Sequence, residues 1–172
     1  MEFVLLKELT LAQQHCKIRT RISRMWESTT PLLKNNILSL DCLLIDEEGC
    51  TMQATVRKFD ADHFRTLLSE GDVYIFENFN VVPSRNTYKV VDRKYMVQIS
   101  KWTHVLKANN DIGSIPLYSF YFINFGHIKA KKYNDTCLID VLGSITAVAS
   151  VSQTYVAQEL TAIRKLEIRD LE

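Results

Sequence analysis

The sequence predicts an all-β fold, a small closed barrel of short strands with one short helix. Three observations predict it. Stretches that alternate apolar and polar residues, rich in β-branched and aromatic side chains, recur along residues 17–101. Clusters of turn-forming residues separate them. Only one stretch between them carries helical spacing. The composition agrees: 47% of the 172 residues are hydrophobic and 24% are charged, which suits a packed core and argues against a disordered chain. The net charge is +1, so affinity for a polyanion must rest on local basic patches.

The elements follow in order. Val4, Leu5, Leu6, Leu9 and Leu11 make a short apolar entry segment. Residues 17–26 alternate Ile18, Thr20 and Ile22 against Arg19, Arg21 and Ser23, which reads as a first strand with a basic face. The run Glu27–Asn36, with Ser28-Thr29-Thr30-Pro31 and Asn35-Asn36, reads as a loop. A second, apolar strand spans Ile37–Asp46. It turns at Asp46–Gly49, where glycine supplies the positive φ. The third strand is Cys50–Lys58, alternating Met52, Ala54 and Val56 with Gln53, Thr55 and Arg57. In Asp60–Gly71, Phe64, Leu67 and Leu68 share one helical face, Asp60 or Asp62 suits the N-cap, and Gly71 suits the C-terminal end. A fourth strand covers Asp72–Val82 and a fifth Thr87–Lys101, joined by a turn at Pro83–Asn86.

Strand, strand, strand, helix, strand, strand is the layout of the OB-fold, a five-stranded Greek-key barrel whose helix plugs one end. Residues 1–108 carry all its parts. Residues 109–116 (NNDIGSIP) read as a linker. Residues 117–172 begin with an aromatic cluster, Tyr118, Phe120, Tyr121, Phe122 and Phe125, that suits packing. A basic run, His127–Lys132, follows and suits a solvated linker. Cys137–Ser152 reads as a strand bent near Gly143. The closing TAIRKLEIRDLE fits a helix or a strand equally.

Little points to catalysis. Cys16, Cys42, Cys50 and Cys137 show no metal-ligand spacing and read as reduced thiols. His15, His63, His104 and His127 stand apart, and no phosphate-loop, dinucleotide, zinc-hydrolase or nucleophile-elbow motif occurs. The expectation is a binding protein, not an enzyme, with no cofactor and no metal. The N-terminus lacks the features of a secretory signal, and no apolar run is long enough to span a bilayer. The cytosol or nucleus is the expected compartment, with no membrane partner.

The ordered strings KIRTRISRMWE, LLIDEEG, MQATVRKF, LLSEGDVYIFENFNV and NTYKVVDRKYMV resemble the DNA-binding OB domains of the replication protein A large subunit, most closely its plant-type relatives. The likeness spans residues 4–106. CLIDVLGSITAV and IRKLEIRDLE resemble the first two strands of a second, tandem OB domain, so residues 117–172 are expected to form an incomplete second OB-like segment. The resemblance implies single-stranded DNA binding in replication, repair or recombination. It also implies a nuclear location and other replication protein A-like subunits as partners.

Single strands are held by cations along the phosphates and aromatics against the bases. The residues themselves nominate Arg19, Arg21, Arg24 and Trp26 on or after the first strand, and Lys34 in the loop beyond. They add Gln53, Arg57 and Lys58 on the third strand, and Arg85 and Tyr88 in the connection to the fifth. By resemblance, one stacking aromatic of the family falls on Tyr88. The other falls on Arg57, a departure that leaves a guanidinium plane in place of a ring. Phe59 faces the same side as Arg57 if the strand continues. Two rival readings suit the same residues: an OB module that binds RNA, and one that binds only protein.

Overall fold

The computed structural model describes residues 3–11, 13, 16–30, 33–108, 114–128, 137–156 and 158–170, without the side chains of 30 and 33–35. Two compact units emerge, Met1–Ser119 with Thr136–Leu138, and Phe120–Asp135 with Ile139–Glu172.

The first unit is the predicted barrel. Its strands are β1 (Lys17–Thr30), β2 (Leu33–Ile45), β3 (Thr51–Arg57), β4 (Val73–Glu77), β5 (Asn80–Pro83), β6 (Tyr95–Ile99) and β7 (His104–Lys107). They form one sheet in the order β5-β6-β3-β2-β1-β4-β7. β4 and β5 stand far apart in that order, yet only Asn78 and Phe79 separate them in the chain. The strand predicted as Asp72–Val82 is thus broken at Asn78, whose φ is +57°, and its halves pair with opposite ends of the sheet. Covalent continuity across that break curls the sheet toward a barrel, with the short strands β5 and β7 at its two ends. β3 and β6 run parallel.

The core explains why these segments are strands. Ile18, Ile22, Leu40, Cys42, Leu44, Ala54, Val56, Val97 and Ile99 point inward at alternating positions, each at most 2% exposed. Helix α1 (Lys58–Leu67) plugs one end with Ala61 and Phe64. The entry segment adds Leu6 and Leu9 to the same core, and Leu6 N donates to Asp46 Oδ2 at 2.9 Å. Asp46 also builds the β2–β3 turn: its Oδ1 accepts from Glu48 N and Cys50 N, and Gly49 supplies a φ of +76°.

Four further expectations change. Of the loop expected at Glu27–Asn36, residues 27–30 and 33–36 are instead strand, extending β1 and β2, with Ser28 opposite Ser39 and Thr29 opposite Ile37. β-Branched Thr29 and Thr30 tolerate extension, and cross-strand pairing outweighs the local turn signal. The helix starts earlier, with Arg57 at its N-cap. Asp60 is in the first turn, and its Oδ2 accepts from Lys101 N at 3.2 Å. The fifth strand shrinks to β6, because residues 84–94 form a loop closed by Ser84 N donating to Lys94 O. Ile115, expected in a linker, is buried with Ile45 and Val73 in a small second cluster.

Cys42 lies fully inside the barrel. Burial, with the negative charges of Asp41 and Glu70, pushes its thiol up to about 12. The unfolded thiol titrates near its ordinary 9.0, so between these values the unfolded chain has lost a proton that the folded chain keeps. This group's contribution to stability therefore falls as pH rises above 9, by about 1.4 kcal/mol per unit. Below that window a thiol reagent is expected to label Cys42 only when the barrel unfolds. A time course resolving each cysteine checks this, and labelling of Cys42 as fast as half-buried Cys16 would contradict it.

The second unit holds β8 (Ser144–Val148), β9 (Ser152–Val156), β10 (Glu159–Ile163) and β11 (Leu166–Arg169). β8 pairs with β11 and β9 with β10, all antiparallel, and Ala149 N donates to Lys165 O between the two ladders. The four strands thus make one long interrupted hairpin, and the closing residues are strand, not helix. Gly143 has backbone and side chain packed against it: a Cβ there would sit 2.5 Å from Arg169 O. Apolar side chains along the hairpin stay exposed, among them Ile145, Tyr155, Leu160 and Leu166.

Candidate nucleic-acid interface

Strands β1, β2, β3 and β6 present one outer face. Strand register sets its rows. Trp26, Asp41, Thr55 and Gln98 stand side by side across the four strands, and Ser28, Ser39 and Arg57 make the next row. A register shift between Ile22 and Arg24 bends β1, so the strand pairs with β4 through Arg21 and continues with β2 alone. Arg24 and Trp26 stand on the half that borders β2 alone; Arg19 and Arg21 stand on the half that pairs with β4.

The structure separates the nominated cations accordingly. Arg19 forms an ion pair with Glu47 and lies 5.1 Å from the ring of Phe3. Arg21 is 7% exposed; its Nε and Nη2 donate to Ile115 O at 3.1 and 2.9 Å, and its Nη1 donates to Gly71 O. This guanidinium fastens residues 71 and 115 to β1 and is not on the open surface. Arg24 is exposed, 4.7 Å from the Tyr118 ring. The Lys34 side chain lies outside the described residues, as do Lys129, Lys131 and Lys132. Gln53 is buried, and its Nε2 has no hydrogen-bond partner among the described residues.

Arg57 and Lys58 are exposed where β3 gives way to α1. Lys58 Nζ donates to Asn36 Oδ1. Phe59 falls within the helix, not on the strand, and is 96% exposed. It does not replace the missing aromatic of β3.

Arg85 is the best-anchored residue of the site. Its Nη1 and Nη2 each donate to Asp41, to Oδ2 and Oδ1, at 2.8 Å, and Nη2 also donates to Ser39 Oγ at 3.1 Å and Thr55 Oγ1 at 3.2 Å. Asp41 is fully buried and accepts further hydrogen bonds from Ser28 and Ser39. This bidentate pair pulls the 84–94 loop against the face of β2 and β3. Arg85 therefore neutralises a carboxylate in the middle of the surface and fixes one wall of it. A signal for the pair stands in the sequence. Asp41 is a lone carboxylate in an apolar strand, and a buried carboxylate needs a cation.

The loop so held is basic: Lys89, Arg93 and Lys94 join Arg85 against Asp92 alone. Lys89 bridges to Cys137, and Leu138 N donates to Lys89 O at 2.7 Å. Beside Lys89, Tyr88 projects its ring into solvent, 71% exposed, from a backbone φ of +55°. A bulky residue in the left-handed region is strained, by about 1–3 kcal/mol, and such strain clusters at binding sites. The surface thus combines Arg24, Arg57 and the loop cations with the rings of half-buried Trp26 and exposed Tyr88. Among the described residues no group of His, Cys, Asp and Glu could hold a metal ion.

Comparison with known proteins follows the same line. The sequence model of the family described as "Domain of unknown function DUF223" matches residues 7–131. A replication protein A 70 kDa DNA-binding subunit of Arabidopsis thaliana is 25% identical over 143 residues, 82% of this chain and 16% of that protein. The "Replication factor A 51 kDa subunit" of Crithidia fasciculata is 26% identical over 164 residues, 90% of this chain and 33% of its own length. The chain thus spans a third or less of these curated relatives. A solved replication protein A heterotrimer bound to ssDNA superposes with a TM-score of 0.62 at 18% identity, covering 98% of this chain and 39% of that one, which is a likeness of fold. The barrel is a replication protein A large-subunit-like OB domain, as the strings of residues 4–106 implied.

Proposed function

The chain belongs to the DUF223 family, and we propose that its barrel binds single-stranded DNA along the outer face of β1, β2 and β3 beneath the 84–94 loop. One observation carries the proposal: a strained, exposed Tyr88 on a basic loop that Arg85 clamps to that face. Phosphates follow Arg24, Arg57, Lys58, Lys89, Arg93 and Lys94, and bases stack on Tyr88 and Trp26. Stacking accepts any base, so sequence preference is weak. The name of the Arabidopsis thaliana relative, a DNA-binding subunit of replication protein A, supports DNA as the polymer. The role is binding without catalysis and without a cofactor, in the nucleus, within replication, repair or recombination, alongside other replication protein A-like subunits.

Fluorescence anisotropy of a labelled oligo-dT strand at two or more salt concentrations tests this, with a matched RNA strand as competitor. The expected result is binding that weakens with salt at a slope of about −0.7 per phosphate neutralised, and DNA that outcompetes RNA. Absence of binding at low salt would remove the DNA reading and leave a protein-interaction module in its place.

A further inference from the structure

The three most exposed aromatic side chains of the described barrel unit are Phe59, Trp102 and Tyr88, at 96%, 72% and 71%. Tyr88 belongs to the proposed groove; Phe59 and Trp102 do not. Phe59 stands in the first turn of α1, whose inward face is already filled by Ala61 and Phe64. Trp102 stands in the tight turn between β6 and β7, where Thr103 N donates to Ser100 O at 2.8 Å. The barrel core needs neither ring.

The two segments are fastened together, because Asp60 Oδ2 accepts from Lys101 N at 3.2 Å. Cations surround that junction. Lys101 Nζ lies 5.0 Å from the centroid of the Trp102 ring, and Arg57 and Lys58 directly precede Phe59. Nearby carboxylates are engaged: Asp60 with the Lys101 amide, and Asp62 and Glu27 with Arg65. Two solvated rings among cations suit a polyanion with flat bases better than an apolar protein surface. The patch is also continuous with the groove, since Arg57 ends the row Ser28–Ser39–Arg57.

We infer that Phe59 and Trp102 form a second stacking subsite that extends the single-strand path past Arg57. They would take unpaired bases of the same DNA, with Lys58 and Lys101 on its phosphates. The inference rests on the proposed groove and lengthens the site, so it predicts a dependence on strand length that the groove alone does not.

The test compares wild type with a Phe59→Ala, Trp102→Ala double variant on two oligo-dT strands, of about 6 and about 14 nucleotides, within the range of single OB-folds. Both side chains are exposed, and circular dichroism checks that the variant folds. The expected result is equal binding of the short strand and roughly tenfold weaker binding of the long strand by the variant. Three outcomes would overturn the inference. Wild-type and variant affinities equal on both strands would take the patch off the DNA path. Equal losses on both strands would make it part of the groove. Self-association of the wild type that the variant abolishes in sedimentation, with DNA binding unchanged, would assign the patch to protein contact. Failure of the wild type on the short strand would instead strike the groove itself.

Discussion

Arg85→Ala is expected to lower the unfolding free energy by roughly 3 kcal/mol. The substitution leaves the Asp41 carboxylate fully buried with its two strongest donors gone. Ser28 and Ser39 still reach it, but hydroxyl donors do not neutralise a charge. Removing one member of a buried ion pair costs about 3–5 kcal/mol. The lower end applies because the Arg85 side chain is itself 34% exposed. Urea unfolding at neutral pH measures the loss. An Arg85→Leu, Asp41→Leu double variant removes both charges and is expected to recover most of it, because no orphaned carboxylate remains. A loss under about 1 kcal/mol would make this a surface pair of ordinary worth and deny it the role of clamp. The same variant is expected to free the 84–94 loop, seen as faster amide exchange there.

Tyr88→Gly is expected to separate binding from stability. Glycine adopts a φ of +55° without the steric penalty that tyrosine bears, so the folded state loses no stability and gains up to about 1 kcal/mol. Since 71% of the side chain is in water, little packing is lost with it. Affinity for oligo-dT is expected to fall by about 1–3 kcal/mol, roughly 5- to 150-fold, which is the worth of one base stack. Urea unfolding and anisotropy on one preparation read both quantities. A variant that binds as wild type does would leave the strain at Tyr88 without a function.

Local chemistry made several features of this barrel readable. Asp46 and Gly49 carry the β2–β3 turn in their own side chain and backbone freedom, and the alternation of Met52, Ala54 and Val56 sets which side of β3 faces inward. The misread segments are those where distant partners decide. Ser28, Thr29 and Thr30 have turn character, yet β2 lies opposite and extends them. Val90 and Val91 have strand character, yet their loop is drawn away by Arg85, whose partner Asp41 lies 44 residues earlier. Arg21 looked like a phosphate ligand from its place on a basic strand face. It is spent instead on two backbone carbonyls that only the folded chain brings to it. The candidate site was therefore legible in its composition, an Arg-rich and aromatic face with Tyr88 at the loop. Which cations remain free for phosphate was not, because burial decides that.

The groove itself is tested most directly by photo-crosslinking an oligo-dT strand substituted with bromodeoxyuridine and mapping the modified residues by mass spectrometry. Crosslinks at Tyr88 and Trp26 are the predicted result. Crosslinks confined to the β8–β11 hairpin, or none at concentrations that saturate binding, would contradict single-strand recognition by the outer face of the barrel.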